Sequence, residues 1–330
     1  MIGLRSEIWK EGEYSYPAAY GFTPIIVSYV HEDEDIHPCM LVVPGGGYRY
    51  VSSSEADPAA RTFYSAGYNV FVLAYTVNYL DEPLKLQPLM DIARAVRILR
   101  YHAGACRIDP SRLAVCGFSA GAHLCASLCV HYADISDPDP EYSSISARPD
   151  AAILSYPVIT AGKYAHKDSF TALLGKDADE KELEYMSLEN HVTDDMPPCF
   201  LWQTATDDSV PVENSYLFAM ACRKAGVPFA HHVFSEGIHG MSIATEEWLE
   251  GCYGESYTLE QIDRLILAIE QGKTPWPKEK ADEIRKDFSG KRDGGKKWDP
   301  EIKAWLKGLL DEVGIWTELA VKWLRGELNL

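Results

Sequence analysis

The chain has 330 residues, of which 46% are hydrophobic, and its 31 basic and 49 acidic residues leave a formal net charge of −18. This length and hydrophobic content allow a large buried core, in one large domain or two ordinary ones. A surface this acidic repels phosphate backbones and anionic lipid, which argues against nucleic acid and membranes as partners.

The amino-terminal sequence and the cysteines indicate the compartment. The first residues, MIGLRSEIWKEGEYSYP, are charged and lack the apolar stretch of a secretory signal. No segment approaches the roughly 18 to 20 apolar residues that a bilayer span needs. The eight cysteines are scattered without a CxxC pair, which favours free thiols in a reducing compartment. We therefore predict a cytoplasmic protein, and the sequence leaves open whether it forms a homo-oligomer.

Short β-rich apolar runs alternate with longer helical patterns along most of the chain. This alternation predicts an α/β fold with a mostly parallel central sheet and helices on both faces. In such a sheet, ligands bind beyond the carboxyl ends of the strands. The predicted strands are 24–30, 39–43, 69–75, 113–116, 151–155, 199–203 and 229–234, and the predicted helices are 58–66, 89–102, 120–132 and 213–225.

Residues 246–300 interrupt this pattern. The segment is polar, contains TPWP and KRDGGKKWDP, and has one amphipathic stretch at 259–269. An amphipathic helix pattern resumes at 313–324. We predict one domain over residues 1–330 that carries an insertion at about 246–300.

The first motif with chemical meaning is Gly117-Phe118-Ser119-Ala120-Gly121. A G-x-S-x-G between a strand and a helix predicts a nucleophile elbow, in which a strained turn exposes the serine Oγ. The helix amino terminus behind it favours developing negative charge. The pentapeptide alone arises by chance, but the apolar run LAVC before it and the helix-compatible stretch after it favour Ser119 as a nucleophile.

The second motif, Pro44-Gly45-Gly46-Gly47-Tyr48, follows the apolar run MLVV. Successive glycines suggest a loop whose backbone approaches a ligand closely, although a flexible turn is the alternative. A phosphate loop is disfavoured because no Gly-Lys-Ser/Thr follows. In a hydrolase, N–H groups of this loop would form an oxyanion hole with the N–H of Ala120. We favour Gly46 and Gly47 as the donors, and the sequence does not decide among the glycines.

An acid and a base follow later strands. Asp207 and Asp208 come after the run CFLWQ, and either could orient a histidine, although both also suit a turn before a helix. His239, in GIHG after FAHHVF, has a side chain suited to moving protons near neutral pH. The chain order Ser, Asp, His is that of α/β hydrolases. His123, one helical turn beyond Ser119, is predicted to be a packing residue.

The sequence resembles the small esterases of the α/β-hydrolase-fold group that includes bacterial acetyl esterases, acetylxylan esterases and feruloyl-esterase-like proteins. The resembling stretches include VVPGGGYRYVSSSEADPAA, RLAVCGFSAGAHLCA, TATDDSVPVENS and GIHG, and they span residues 39 to about 245. In this family the acid lies four residues before the proline of the Val-Pro pair, which implies Asp207. The resemblance further implies a nucleophile, a base and oxyanion donors at Ser119, at His239, and at Gly46, Gly47 and Ala120.

The implied chemistry is acyl transfer through a covalent intermediate, which needs no metal or organic cofactor. The expected substrate is a small-molecule or oligosaccharide ester, and the resemblance favours O-acetyl groups on xylan-type carbohydrate. A feruloyl esterase or a general carboxylesterase is the alternative. A peptidase or amidase, or an inactive binding protein on the same scaffold, is less favoured. The inactive form is disfavoured because the serine, the histidine and the glycines are all present.

The insertion begins just beyond His239, so we expect it at the rim of the active site. Its aromatic residues would bind sugar rings or form a mobile lid. The alternative is that the insertion is a surface embellishment or a dimer contact, with these residues as its small core. Tyr48, Tyr156 and Trp276 are the residues expected to shape the substrate pocket, although core packing explains each of them equally well. The aromatic residues in question are Trp248, Tyr253, Tyr257, Trp276 and Trp298.

Overall fold

Apolar runs of the sequence form one central sheet, which has the strand order β1-β2-β4-β3-β5-β6-β7-β8 in the described part of the chain. The computed structural model describes residues 2–80, 82–254, 257–292 and 298–329, with the side chains of residues 2 and 290–292 excepted. The strands are β1 (Ile2–Glu7), β2 (Ile25–Tyr29), β3 (His37–Val43), β4 (Asn69–Ala74), β5 (Ile108–Phe118), β6 (Ala151–Ser155), β7 (Cys199–Thr204) and β8 (Phe229–Phe234).

The sheet is mostly parallel, as predicted. Strand β2 pairs antiparallel with β1 and with β4, and the pairs from β4 through β3, β5, β6 and β7 to β8 are parallel. The seven predicted strands are present; β6 and β8 have the predicted ends, and at least one end of each of the others differs by one to five residues. The sequence did not predict β1, because IGLRSE is half polar and its strand conformation depends on pairing with β2.

Helices cover both faces of this sheet. The four helices predicted between strands are confirmed, and the amphipathic stretch at 259–269 forms a helix. None of the helices in the described ranges combines the length and the apolar character that crossing a membrane requires. The helices are α1 (Asp57–Ser65), α2 (Gln87–Tyr101), α3 (Ala103–Cys106), α4 (Ala120–His131), α5 (Lys167–Leu174), α6 (Glu180–Tyr185), α7 (Glu213–Ala225), α8 (Glu246–Glu250), α9 (Glu260–Glu270), α10 (Glu279–Arg292), α11 (Pro300–Gly314) and α12 (Trp316–Glu327).

The helix predicted at 313–324 is present as α12, but it begins at Trp316, because Val313 and Gly314 belong to the end of α11. The apolar spacing continues across the junction since both helices pack on the same core, which contains Val313 and Trp316. At the junction, a Cβ on Gly314 would lie 3.1 Å from the carbonyl oxygen of Ala244. The chain therefore passes close to a neighbouring backbone at the junction of the two helices.

Strand side chains alternate between two buried cores. Leu41 of β3 lies in the core formed with α2, α4 and α7. Its neighbours Met40 and Val42 lie in the opposite core, formed with α1, α11 and α12. Since both faces are covered, the strands read as continuous apolar runs rather than alternating ones.

The predicted insertion is largely helical and has a core of its own. Apolar residues of α9 and α10 form a third cluster, which also contains Leu80 and packs against Tyr50 and Tyr79. Residues 255, 256 and 293–297 of the predicted insertion lie outside the described residues. This cluster joins the insertion to loops on the main body of the fold.

Candidate active site

Ser119 stands at a sharp turn between β5 and α4. Its backbone has φ 53° and ψ −119°, a strained conformation for a side chain other than glycine. A Cβ at Gly117 would lie 2.4 Å from the carbonyl oxygen of Gly121, and a Cβ at Gly121 would lie 2.1 Å from that of Val43. The glycines on either side of the serine are therefore required by the close approach of backbone, which accounts for the motif.

His239 reaches Ser119 from the loop after β8. Its Nε2 lies 2.8 Å from the Ser119 Oγ, and its Nδ1 lies 2.8 Å from Oδ2 of Asp207. The structure thus brings together three side chains that are far apart in the sequence. Ser119 is 7% exposed, and the side chain of Asp207 is fully buried.

The two adjacent aspartates have different partners. Oδ1 of Asp207 accepts the backbone N–H groups of Ser209 and Val210 at 3.0 and 2.9 Å, which leaves Oδ2 facing the imidazole. Asp208 instead accepts the backbone N–H of His239 at 3.1 Å. Asp207 can therefore orient the histidine ring, while Asp208 holds the loop that carries it.

This arrangement can activate the serine. A carboxylate that accepts the Nδ1–H leaves the Nε2 lone pair directed at the Ser119 hydroxyl. The imidazole can then take the hydroxyl proton as the oxygen attacks a carbonyl carbon. The same carboxylate stabilises the imidazolium that forms.

The glycine loop lies beside the serine. Gly46 and Gly47 line the same cavity as Ser119 and have φ values of 119° and 65°. The N–H of Gly45 is committed to Oε2 of Glu55 at 2.8 Å. Of the three glycines, Gly46 and Gly47 remain as candidate oxyanion donors. Ala120, the third predicted donor, is the first residue of α4 and follows the nucleophile directly.

The serine opens into a cavity of about 1450 Å³, which is larger than the roughly 300 to 1,000 Å³ of most small-molecule pockets. Both the main body and the segment 246–300 contribute to its wall. The wall carries mixed charge and aromatic surface from Arg49, Asp168, Asp208, Trp248, Glu250, Tyr253, Asp287, Trp298 and Lys303.

The three predicted pocket residues require a correction, because none of them lines this cavity. Tyr48 is buried and donates its hydroxyl to Nδ1 of His123 at 2.8 Å. Tyr156 is buried behind His239, with its ring edge-on to the imidazole at 4.9 Å. Trp276 packs against the third core cluster. Their rings are used for packing, and His123 has the packing role that the sequence predicted.

The aromatic residues of the insertion divide between wall and core. Trp248, Tyr253 and Trp298 line the cavity, and Trp248, at 3% exposure, also belongs to the core cluster that contains the buried Tyr257. The set is therefore split between the cavity wall and the core, and sugar binding by the wall residues stays a prediction. Spacing along the chain could not separate them, because their distribution depends on how the inserted helices fold back.

Two further cavity residues were not predicted from the sequence. Glu55 is 4% exposed, and its carboxyl lies between the glycine loop and Tyr156. His166 lies 2.8 Å from Ser169 Oγ through Nδ1, and burial lowers the pKa of this histidine, which favours a neutral ring. Neither residue belongs to a motif with a general chemical signature. A lone acid ten residues beyond a glycine loop gives no signal from spacing.

One group of side chains could hold a metal ion. Among the described residues, His31, Asp33 and His37 bring potential ligand atoms within 4.8 Å of one another. His37 already contacts the carbonyl of Gly67 through Nδ1 and Asp33 through Nε2, both at 2.9 Å. The group lies at the amino end of β3, whereas Ser119 follows the carboxyl end of the parallel strand β5. It is therefore separate from the serine site.

Comparison with known proteins identifies relatives of the chain. The BD-FAE family model matches residues 27–221. The chain is 51% identical over 267 residues to endo-1,4-beta-xylanase B of Butyrivibrio fibrisolvens, covering 81% of this chain and 42% of that protein. It is 31% identical over 209 residues to an acetylxylan esterase of Xylanibacter ruminicola, covering 62% of this chain and 41% of that protein. The chain thus spans about two fifths of the length of these curated relatives.

One solved structure is similar to this chain over nearly the whole length of the solved protein. The acetyl ester-xyloside bifunctional hydrolase from Caldicellulosiruptor lactoaceticus is 38% identical to this chain and has a TM-score of 0.69. The match covers 80% of this chain and 97% of that protein. These relatives confirm the family resemblance inferred from the motifs.

Proposed function

The chain belongs to the BD-FAE family of α/β-hydrolase esterases, and from this premise we propose that it is a serine esterase that removes acetyl groups from xylan-type oligosaccharides. Membership of this esterase family makes it a carboxylic ester hydrolase. The observation that carries the proposed mechanism is the chain of two 2.8 Å contacts from Asp207 through His239 to Ser119.

The proposed reaction has two stages. His239 takes the hydroxyl proton of Ser119, and Oγ attacks the ester carbonyl to form a tetrahedral intermediate. The N–H groups of Gly46, Gly47 and Ala120 stabilise its oxyanion. The intermediate collapses to the acyl-serine as the imidazolium protonates the leaving alcohol. Water, deprotonated by His239, then releases the acid and restores the serine.

Three observations support a carbohydrate substrate. The cavity is larger than a simple acetate ester requires, so a bulky alcohol portion fits better. Trp298 and Tyr253 bring aromatic surface to its wall, and aromatic rings pack well on the apolar faces of sugars. Two of the relatives are named as an acetylxylan esterase and an acetyl ester-xyloside hydrolase.

The proposal is tested by measuring acid release from acetylated xylo-oligosaccharides, p-nitrophenyl acetate and methyl ferulate in parallel, with Ser119→Ala as the matched blank. We expect acetate release from the oligosaccharide, with loss of that activity in the variant. Release of ferulate at a higher kcat/KM than acetate would favour a feruloyl esterase. Activity on p-nitrophenyl acetate alone would indicate a general carboxylesterase. If no substrate gave Ser119-dependent release, the esterase assignment would be wrong.

A second candidate activity is cleavage of a xyloside bond. Two relatives carry a xylan- or xyloside-cleaving activity in their names. Several carboxyl groups line the cavity, including those of Glu55, Asp168 and Asp287, and glycosidases use paired carboxyls. Hydrolysis of p-nitrophenyl xyloside that survived in Ser119→Ala would support this activity, because it would not depend on the serine. If neither the wild type nor Ser119→Ala hydrolysed p-nitrophenyl xyloside, esterase activity would be the only activity supported.

A further inference from the structure

We propose that Glu55 is a positioning residue of this active centre, whose buried carboxylate aligns the oxyanion loop with the catalytic histidine and stabilises positive charge on that histidine. This inference rests on the proposed esterase mechanism and adds a fourth side chain to it. Glu55 ends a short 3₁₀ helix, Ser53–Glu55, directly before α1. It lines the cavity that contains Ser119 and His239.

The carboxyl first holds the oxyanion loop. Oε2 accepts the N–H of Gly45 at 2.8 Å, immediately before the two glycines proposed as donors. The position leaves no room for a side chain at Gly45: a Cβ there would lie 3.0 Å from Oε2 and 2.9 Å from Cβ of Ser119. Since the loop is fixed by Glu55 at this point, the direction of the following N–H groups depends on the carboxyl.

The other oxygen connects to the histidine loop. Oε1 accepts the hydroxyl of Tyr156 at 2.7 Å, and that hydroxyl oxygen accepts the N–H of Ser242 at 3.2 Å. Ser242 is three residues beyond His239, and the Tyr156 ring packs edge-on to the His239 imidazole. A single carboxyl therefore links the loop that would bind the oxyanion to the loop that carries the base.

Both oxygens face hydrogen-bond donors, which is the pattern that suits an ionised carboxylate. Burial raises the pKa of the Glu55 carboxyl above its ordinary value, and the hydrogen bonds from Tyr156 and Gly45 together with the charge of His239 act against this rise. A carboxylate held in a buried wall favours the imidazolium form of a nearby histidine. The charge of His239 and the Glu55 carboxylate therefore stabilise each other.

The charged and titratable neighbours define what a pH experiment can detect. Those that face Glu55 are Tyr50, Tyr75, Cys116, Tyr156, His239 and Tyr253. Burial raises the pKa of the four tyrosines Tyr50, Tyr75, Tyr156 and Tyr253, and of Cys116, so these groups stay neutral near pH 7. His239 is also faced by Asp207 and His166. Within this set, His239 is the group whose charge changes during the proposed reaction.

The test compares Glu55→Gln and Glu55→Asp in the full chain, with Glu318→Gln on the exposed surface of α12 as the matched control. For each protein, kcat and KM for p-nitrophenyl acetate are measured from about pH 5 to about pH 9, and folding is followed by thermal unfolding. The glutamine removes the charge and turns one acceptor into a donor facing Gly45 or Tyr156. The aspartate keeps the charge but shortens the reach.

We expect Glu55→Gln to lower kcat by roughly tenfold or more while KM changes by less than about threefold. Its acid limb of kcat/KM should move to lower pH, because the imidazolium loses a neighbouring anion. Glu55→Asp should also lose kcat but keep the acid limb of the wild type. The Glu318→Gln control should match the wild type in kcat, in KM and in the position of the acid limb.

Two outcomes would overturn the proposal. One is a folded Glu55→Gln with wild-type kcat. The other is a loss of activity that matches the fraction unfolded and leaves the acid limb in place, which a purely structural role would produce. If Glu55→Gln does not fold, Tyr156→Phe decides, because it cuts the link to Ser242 and keeps the ring. Unchanged kcat in that variant would also refute the alignment. Failure of the esterase mechanism itself is separate, since it would appear as hydrolysis that survives Ser119→Ala in an otherwise wild-type chain.

Discussion

Replacement of Asp207 by Asn should abolish most of the esterase activity, whereas the same change at Asp208 should have little effect. The difference follows from the hydrogen bonds. The Asp207 side chain accepts two backbone N–H groups on Oδ1, and the His239 ring and Gln203 on Oδ2. An asparagine can present its oxygen to only one of these sets.

The asparagine should turn its oxygen toward the two backbone N–H groups, because leaving both unsatisfied would cost about 1 to 3 kcal/mol each. Its NH₂ then faces Nδ1 of His239, which must become an acceptor. The ring proton moves to Nε2, which lies 2.8 Å from the Ser119 Oγ and can no longer take its proton. A base held in the wrong tautomer lowers kcat by about 10⁴-fold, or about 5.4 kcal/mol in activation free energy.

Asp208 offers the matched control, because it accepts only the backbone N–H of His239 in the described contacts, and an asparagine oxygen can do the same. The assay is kcat/KM for p-nitrophenyl acetate, with folding verified by thermal unfolding. Asp208→Asn should remain within about threefold of the wild type. An Asp207→Asn variant that kept more than about a tenth of the wild-type kcat/KM would refute this reasoning. So would an Asp208→Asn variant whose kcat/KM fell by more than about tenfold.

Three other predictions concern the core and the cavity. Arg94→Ala should lower the free energy of unfolding by about 3 to 5 kcal/mol in chemical denaturation, because Arg94 binds the buried Asp137 through two nitrogens at 2.7 Å. Burial lowers the pKa of His123 to about 4 from 6.5, so between these values the unfolded chain binds more protons than the native one. His123 therefore contributes stability above about pH 6.5 that is lost as the pH falls through about 4. The free energy of unfolding of the wild type should exceed that of His123→Gln by about 3 kcal/mol less at about pH 4 than at about pH 7. Trp298→Ala should raise KM for acetylated xylo-oligosaccharides roughly tenfold and leave KM for p-nitrophenyl acetate unchanged, since Trp298 lines the cavity wall.

The sequence predicted the elements whose apolar pattern is strong. Strands β6 and β8 and helix α7 have the predicted ends, because each is a continuous apolar or amphipathic run bounded by turn residues. Helices α3, α5 and α6 were not predicted, and neither were α8 and α10 of the segment 246–300. Helix α6, for example, has the sequence EKELEY and buries none of its residues, so it has no periodic apolar stripe to detect.

The site residues that belong to recognisable sequence motifs could be predicted. Ser119, Asp207 and His239 lie where strand ends meet, as chain order and the edge rule for parallel sheets indicate. Glu55 was not predictable, because its importance comes from burial between two loops and not from its neighbours in sequence. Tyr156 was expected in the pocket and stands one layer behind it, since a buried ring with a bonded hydroxyl packs better there than against solvent.

Backbone strain is concentrated around this site, and it explains why local sequence preferences are a poor guide there. Tyr48, Ser119, Tyr156 and Ser242 all have positive φ, at 62°, 53°, 37° and 51°, which is uncommon outside glycine. Each such residue costs of order 1 to 3 kcal/mol and persists only when its surroundings hold it in place.

Tertiary hydrogen bonds provide that support. The N–H of Ser119 donates to the backbone carbonyl of Ser155 at 2.9 Å, and the N–H of Tyr156 donates to the backbone carbonyl of Trp202 at 2.7 Å. The ends of neighbouring strands therefore hold both turns. Ser242 donates its N–H to the Tyr156 hydroxyl, which in turn donates to Glu55. The strained turns at Tyr156 and Ser242 are therefore coupled to one buried carboxyl. Loss of that carboxyl should release strain at the oxyanion loop and at the loop of the base together. The fall in kcat should therefore exceed the fall that the fraction of unfolded protein accounts for.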